Sequence, residues 1–195
     1  LIFKLSKRGC PISLDQAVDL WEKKKSIPKF SYTISFDDGF ENNFKIALPI
    51  LEKYKTPSIF YITTRFISEN YMSWVDRVEA CIDAAADQYI SFNEFCNNFH
   101  INDFQSKISF MDKVRNYVKN TESIDADNFA DKLCKSIELN SEPTIVPVLD
   151  NKLSWAQLNQ MKNNALVTLG GHSHTHRVMA NLNLSDLNFE ISHSL

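Results

Sequence analysis

The chain has 195 residues, 44% of them hydrophobic, and a formal net charge of −3. That is enough apolar content for a real core in one domain, or in one domain with an insertion. The charge excludes a basic nucleic-acid footprint and a polybasic membrane patch, and no apolar run approaches the ~20 residues of a bilayer span. In chain order, Leu1-Ile2-Phe3 opens without a charged-then-apolar signal pattern, so no signal peptide is expected and the start reads as internal or trimmed. Ser13-Leu14-Asp15-Gln16 fits a capped helix start, with a packing helix to about Lys25 presenting Leu14, Val18 and Trp21 on one face. Ile27-Pro28-Lys29 reads as a linker. Tyr32, Ile34 and Phe36 alternate with Thr33 and Ser35, the period of a β-strand.

That strand runs into Asp37-Asp38-Gly39, two carboxylates followed by a residue that permits a sharp exit. A helix is expected from about Glu41 to Tyr54, kinked or restarted at Pro49. Ser58-Ile59-Phe60-Tyr61-Ile62 reads as a strand buried on both faces, so strand, helix and strand form a parallel unit. From about 74 to 140 the pattern turns helical. Val75, Val78, Ile82 and Ala85 mark one helix, Ile108, Met111, Val114 and Val118 a second, and Phe129, Leu133 and Ile137 a third. Tyr89-Ile90-Ser91-Phe92 is a short strand candidate inside this insertion. Residues 142–147 read as a connector, and Ser154-Trp155-Ala156-Gln157 as a second capping box whose helix runs to about Asn164. Leu166-Val167-Thr168-Leu169 is a short buried-strand candidate, and Gly170-Gly171 a flexible loop entry. A last helix starts at Asn183, with Leu187 and Ile191 on one face, and runs to the end of the chain. The four cysteines, Cys10, Cys81, Cys96 and Cys134, contain no Cys-x-x-Cys pair. They read as buried free thiols, which leans toward a reducing, cytoplasmic compartment and leaves the localisation open.

Three of the five histidines fall in His172-Ser173-His174-Thr175-His176. Such clustering is hard to explain by core packing and suits a metal. If the segment coils helically, His172 and His176 share a face and His174 points away. If it is extended, all three share a face. Asp38 would complete a two-histidine, one-carboxylate set with open positions, a catalytic arrangement rather than a closed structural one. Ser173 and Thr175 are expected to hydrogen-bond the loop backbone, His100 and His193 to be structural or exposed, and Trp74 and Trp155 to pack in the core or at a rim.

Ser35-Phe36-Asp37-Asp38-Gly39 resembles the first motif of the polysaccharide deacetylase (NodB-homology) family. His172-Ser173-His174-Thr175-His176 resembles its second, and the approach Leu153-Ser154-Trp155-Ala156-Gln157-Leu158 is similar as well. The resemblance covers about 30–67 and 150–195. It implies an α/β fold, the family's distorted (β/α) barrel, incomplete in this chain and carrying the helical insertion at about 74–140 of a single domain spanning 1–195. It implies Asp37 as general base and Asp38, His172 and His176 as ligands of a divalent metal, most often zinc, with cobalt or nickel able to use the same ligands. Later family motifs, an arginine that orients the base and a histidine that acts as acid, are expected to lie outside these 195 residues.

The implied reaction is hydrolysis of an acetyl group from an N- or O-acetylated sugar of a polysaccharide. An alternative is a degenerate sugar-binding or scaffold domain of the same fold, and another is an unrelated metallohydrolase, which predicts no approach between Asp38 and His172. The expected partner is an acetylated carbohydrate, with no nucleic acid and no transmembrane segment. An open parallel sheet makes a homo-oligomer plausible.

Overall fold

The computed structural model describes residues 1–92, 95–122, 124–143 and 151–194. Most of the expected connector at 142–147 lies outside the described residues. In chain order the elements are α1 (Ile2–Ser6), β1 (Cys10–Pro11), α2 (Leu14–Glu22), β2 (Ser31–Tyr32), β3 (Ile34–Phe36), a π-helical turn (Asn43–Ala47), α3 (Leu48–Lys53), β4 (Ser58–Ile62) and α4 (Thr64–Glu69). Then come α5 (Trp74–Asp83), β5 (Gln88–Phe92), β6 (Cys96–Ile101), α6 (Phe104–Asn120) and α7 (Ala126–Lys135). The described residues close with α8 (Trp155–Lys162), β7 (Val167–Gly171), a short 3-10 turn (Met179–Asn181) and α9 (Leu184–Ser192). The contacts divide into two compact units, one of Leu1–Tyr71, Pro147–His176 and Phe189–Leu195, the other of Met72–Val146 and Arg177–Asn188.

The first unit is built on a three-stranded parallel sheet in the order β3-β4-β7. The central strand β4 buries Ser58, Ile59, Phe60 and Ile62, which is why its sequence is a nearly unbroken apolar run. Phe36 and Phe60, paired in register, stack with ring centroids 4.8 Å apart. Leu48 and Leu51 of α3 and Leu158 and Met161 of α8 complete the same core. An α/β fold is thus present. The three strands do not close on themselves.

Several expectations are modified. The strand expected over 32–36 is broken at Thr33: Ser31–Tyr32 pairs with Cys10–Pro11 in a separate two-stranded sheet, and only Ile34–Phe36 joins β4. The helix expected from Glu41 restarts as α3 at Leu48, with Pro49 in its first turn, where a missing N–H is tolerated. A π turn precedes it, and the Leu48 N–H reaches back five residues to Asn43 O. The capping box of Ser13 and Gln16 forms, but α2 ends at Glu22 and buries nothing. Val18 is 42% and Trp21 73% exposed, because periodicity defines a face without supplying a partner for it. Gly170 and Gly171 are strand residues of β7, not a loop entry. Helix α9 ends at Ser192.

The second unit has its own core. Val78 and Ile82 of α5, Phe110 and Val114 of α6 and Leu133 of α7 are essentially inaccessible. The three expected helices are present, but an antiparallel hairpin of β5 and β6 lies between the first two. Its second strand was hidden because Asn97, Asn98 and His100 interrupt any apolar alternation. His100 pairs with Asp87 at 2.7 Å and stacks on Tyr89. All four cysteines are free, and burial holds fully only for Cys96, Cys10 being exposed. Among the described residues no helix is long and apolar enough to cross a membrane.

Candidate metal centre

Parallel strands place their carboxyl ends together, and the candidate residues sit at that edge. β3 ends one residue before Asp37, and β7 ends immediately before His172. Ile62 of β4 is level with Gly171, and the His172 N–H extends the ladder by donating to Ile62 O at 2.8 Å. After β3 the backbone turns through two consecutive left-handed residues, Asp38 at φ 73° and Gly39 at φ 94°. Glycine adopts this freely, whereas aspartate does so at a cost of about 1–3 kcal/mol, strain of the sort that persists where surrounding structure enforces it. The turn is held by the Thr63 N–H to Asp38 O (3.3 Å) and the Leu153 N–H to Gly39 O (2.9 Å).

The histidine segment is neither a helical turn nor an extended strand. Ser173 (φ 63°) and His176 (φ 62°) are both left-handed. Buried Ser173 accepts the His176 N–H on its hydroxyl at 3.0 Å, the backbone role expected of it. The Thr63 hydroxyl donates to His172 O (3.0 Å), and the Arg65 N–H donates to His174 O (3.0 Å). This path turns His172 and His176 toward Asp38 and sends His174 elsewhere. The Thr64 hydroxyl donates its one hydrogen to His193 O (2.7 Å), so it must accept from His174, whose Nδ1 lies 2.8 Å away. His174 is thus tied by Nδ1 and lies edge-on to Phe189, outside the donor set. Thr175 departs from expectation, its hydroxyl donating to the Glu190 carboxylate.

Asp38, His172 and His176 offer one donor atom each, all within 4.8 Å of one another. Nε2 of His176 is 3.2 Å and Nε2 of His172 3.5 Å from Asp38 Oδ1. Ligands about 2.0–2.1 Å from a tetrahedral zinc lie about 3.3 Å apart, so these separations match edges of such a polyhedron. Asp38 Oδ1 is buried and, beyond the two imidazoles that approach it, has no hydrogen-bond partner among the described residues. An acceptor left so is costly unless something electropositive satisfies it. Burial pushes the Asp38 carboxyl up, but the adjacent His176 ring, His172 and the Lys152 ammonium together outweigh it and hold it below the usual carboxylate range. The donor set therefore fits a divalent metal. His176 rests against the buried Phe66 ring, and Tyr61 flanks His172. Asp37 is exposed beside this set and is not among its donors. The 3.5 Å approach of Asp38 and His172 contradicts what an unrelated metallohydrolase predicts.

Two residues of the site had no signal in the sequence. Lys152 is buried, its ammonium 3.6 Å above the Phe40 ring, and its charge acts on Asp38. Glu190 is fully buried beneath the histidine segment. Lysine and glutamate are mostly exposed in folded proteins, so the burial of neither is marked in the sequence. Trp155, 54% exposed, borders a mostly apolar groove of about 620 Å³ shared by α8, β7 and His174.

A family model described as polysaccharide deacetylase matches residues 24–194. A stretch of 58 residues is 38% identical to poly-beta-1,6-N-acetyl-D-glucosamine N-deacetylases of Staphylococcus aureus strains MSSA476 and MRSA252, covering 30% of this chain. The match spans only 20% of the length of those relatives. Among solved structures, the deacetylase domain of BpsB from Bordetella bronchiseptica aligns with a TM-score of 0.41 at 19% identity, over 88% of this chain and 41% of that one. A de-N-acetylase from Aggregatibacter actinomycetemcomitans aligns with a TM-score of 0.39 at 17% identity, again over 88% and 41%.

Proposed function

This chain belongs to the polysaccharide deacetylase family, and from that membership we propose that it is a metal-dependent hydrolase removing acetyl groups from acetylated sugars of a polysaccharide. Poly-β-1,6-N-acetylglucosamine is the first substrate to test, on the strength of the Staphylococcus aureus relatives. In this reading the parallel strands are part of the family's distorted barrel. The observation that carries it is the convergence of Asp38, His172 and His176 at the carboxyl ends of β3 and β7, the two strands that flank β4.

Asp38, His172 and His176 hold the metal, zinc in the first instance, with cobalt or nickel on the same ligands. Bound there, a divalent metal supplies Lewis acidity, making water a nucleophile near neutral pH and offsetting charge that develops on the acetyl carbonyl oxygen. Asp37 adjoins a ligand without being one, and its exposed carboxylate takes the proton from the attacking water as general base. In this reading adjacent carboxylates divide the labour, Asp38 lying among the histidine donors and Asp37 outside them and exposed.

The test is metal content by elemental analysis, with acetate release from acetylated glucosamine oligomers. Wild type is expected to carry about one metal per chain. His172→Ala, His176→Ala and Asp38→Asn lose it, while His174→Ala and Asp37→Asn keep it. Asp37→Asn keeps the metal yet releases acetate at least about a hundredfold more slowly. Loss of metal with Asp37→Asn and retention with Asp38→Asn would reverse the assignment of the two carboxylates. A wild type that binds no added zinc would overturn the metal reading and favour the degenerate, sugar-binding alternative.

A further inference from the structure

Glu190 is a carboxylate with no solvent exposure, on the last turns of α9. Its Oε2 accepts the backbone N–H of His174 at 2.9 Å and of Thr175 at 2.8 Å, and its Oε1 accepts the Thr175 hydroxyl. It therefore accepts three hydrogen bonds from two residues inside the segment whose ends are His172 and His176. Burying a carboxylate is expensive, and it is tolerated where several donors converge on it. Here the donors belong to a five-residue segment that enters and leaves its turn through left-handed residues and has no regular ladder of its own.

We propose that Glu190 is the positioning residue of the metal centre: it fixes the His174–Thr175 backbone and so sets the separation at which His172 and His176 face Asp38. The hydrogen bonds of Glu190 go to His174 and Thr175, so it acts through the peptide between the ligands. The carbonyl side of the segment is tied by the Arg65 N–H to His174 O, and Ser173 holds the His176 N–H; Glu190 supplies the acceptors for the amides of His174 and Thr175 between them. This rests on the metal reading above for its consequence, but not for the hydrogen bonds themselves.

Two substitutions separate reach from charge. Glu190→Gln keeps the length and an acceptor oxygen but discards the charge, and Glu190→Asp keeps the charge but withdraws it by one methylene. Amide hydrogen exchange of the metal-free protein reads the clamp, and zinc affinity in competition with a chelator reads its consequence. Glu190→Asp is expected to speed exchange at the His174 and Thr175 amides by about tenfold or more, with the amide of Phe60 in β4 unchanged. The same substitution is expected to weaken zinc binding by about 10–100-fold, the range for groups that orient ligands. Glu190→Gln stays within about threefold of wild type on both. The proposal is overturned if Glu190→Asp leaves exchange and affinity unchanged, or if Glu190→Gln loses affinity while Glu190→Asp retains it, which would make Glu190 a remote charge. A wild type that ignores zinc defeats the metal reading, and the exchange comparison still decides whether Glu190 holds the segment.

Discussion

At the residue scale the site depends on groups placed where they are individually unfavourable. Asp38 combines a left-handed backbone with a buried, unsatisfied oxygen. Its carboxyl is held below the ordinary range, so its native contacts contribute stability above the unfolded pKa and lose it as pH falls through the lower folded value. The melting temperature of metal-free protein should therefore fall more steeply for wild type than for Asp38→Asn as pH drops below about 4. Parallel slopes for the two proteins would show that the charges around Asp38 do not stabilise the fold. Gly170 makes a steric demand instead. A Cβ there would meet the Tyr61 ring at 2.8 Å, on the strand pair that carries His172. Gly170→Ala should cost about 1–3 kcal/mol in urea unfolding, as overpacking does. An unaffected midpoint would mean the Tyr61 ring moves aside freely.

At the element scale, what could be read in the sequence was what local chemistry determines. Ser154 and Gln157 form the expected capping box, with the Ser154 hydroxyl accepting the Gln157 N–H at 3.2 Å. Ser154→Ala is expected to lower stability by about 1 kcal/mol, measured by chemical denaturation. A larger loss would indicate that the start of α8 is held by more than its cap. β4, α5, α6 and α7 were legible because burial imposes a strong period on them. The candidate donor set was legible because aspartate and histidine side chains of that density have few other uses. What escaped was non-local. The partner strand β6 is polar where it faces outward, α2 shows a periodic face that nothing covers, and Glu190 is a charge whose burial depends on a loop fourteen or more residues upstream. The path of the histidine segment was undecided between two regular geometries because left-handed serine and histidine carry no sequence mark.

At the scale of the whole molecule, the two units differ in how they are sewn together. The second closes through neighbours, with α5, the hairpin and α6 following one another. The first is completed only when β7 returns to β4, a pairing that brings Thr63 and His172 together across 109 residues. Contacts of that span form late, because loop closure must be achieved before any pairing compensates it. The donors Asp38, His172 and His176 are therefore expected to come together after the folding transition state has been crossed. A metal that needs all three stabilises the native protein by mass action and leaves the barrier from the unfolded side where it was. Stopped-flow experiments at increasing zinc should find the unfolding rate falling and the refolding rate flat, so that the ion acts as a latch on a finished molecule and not as a template for making it.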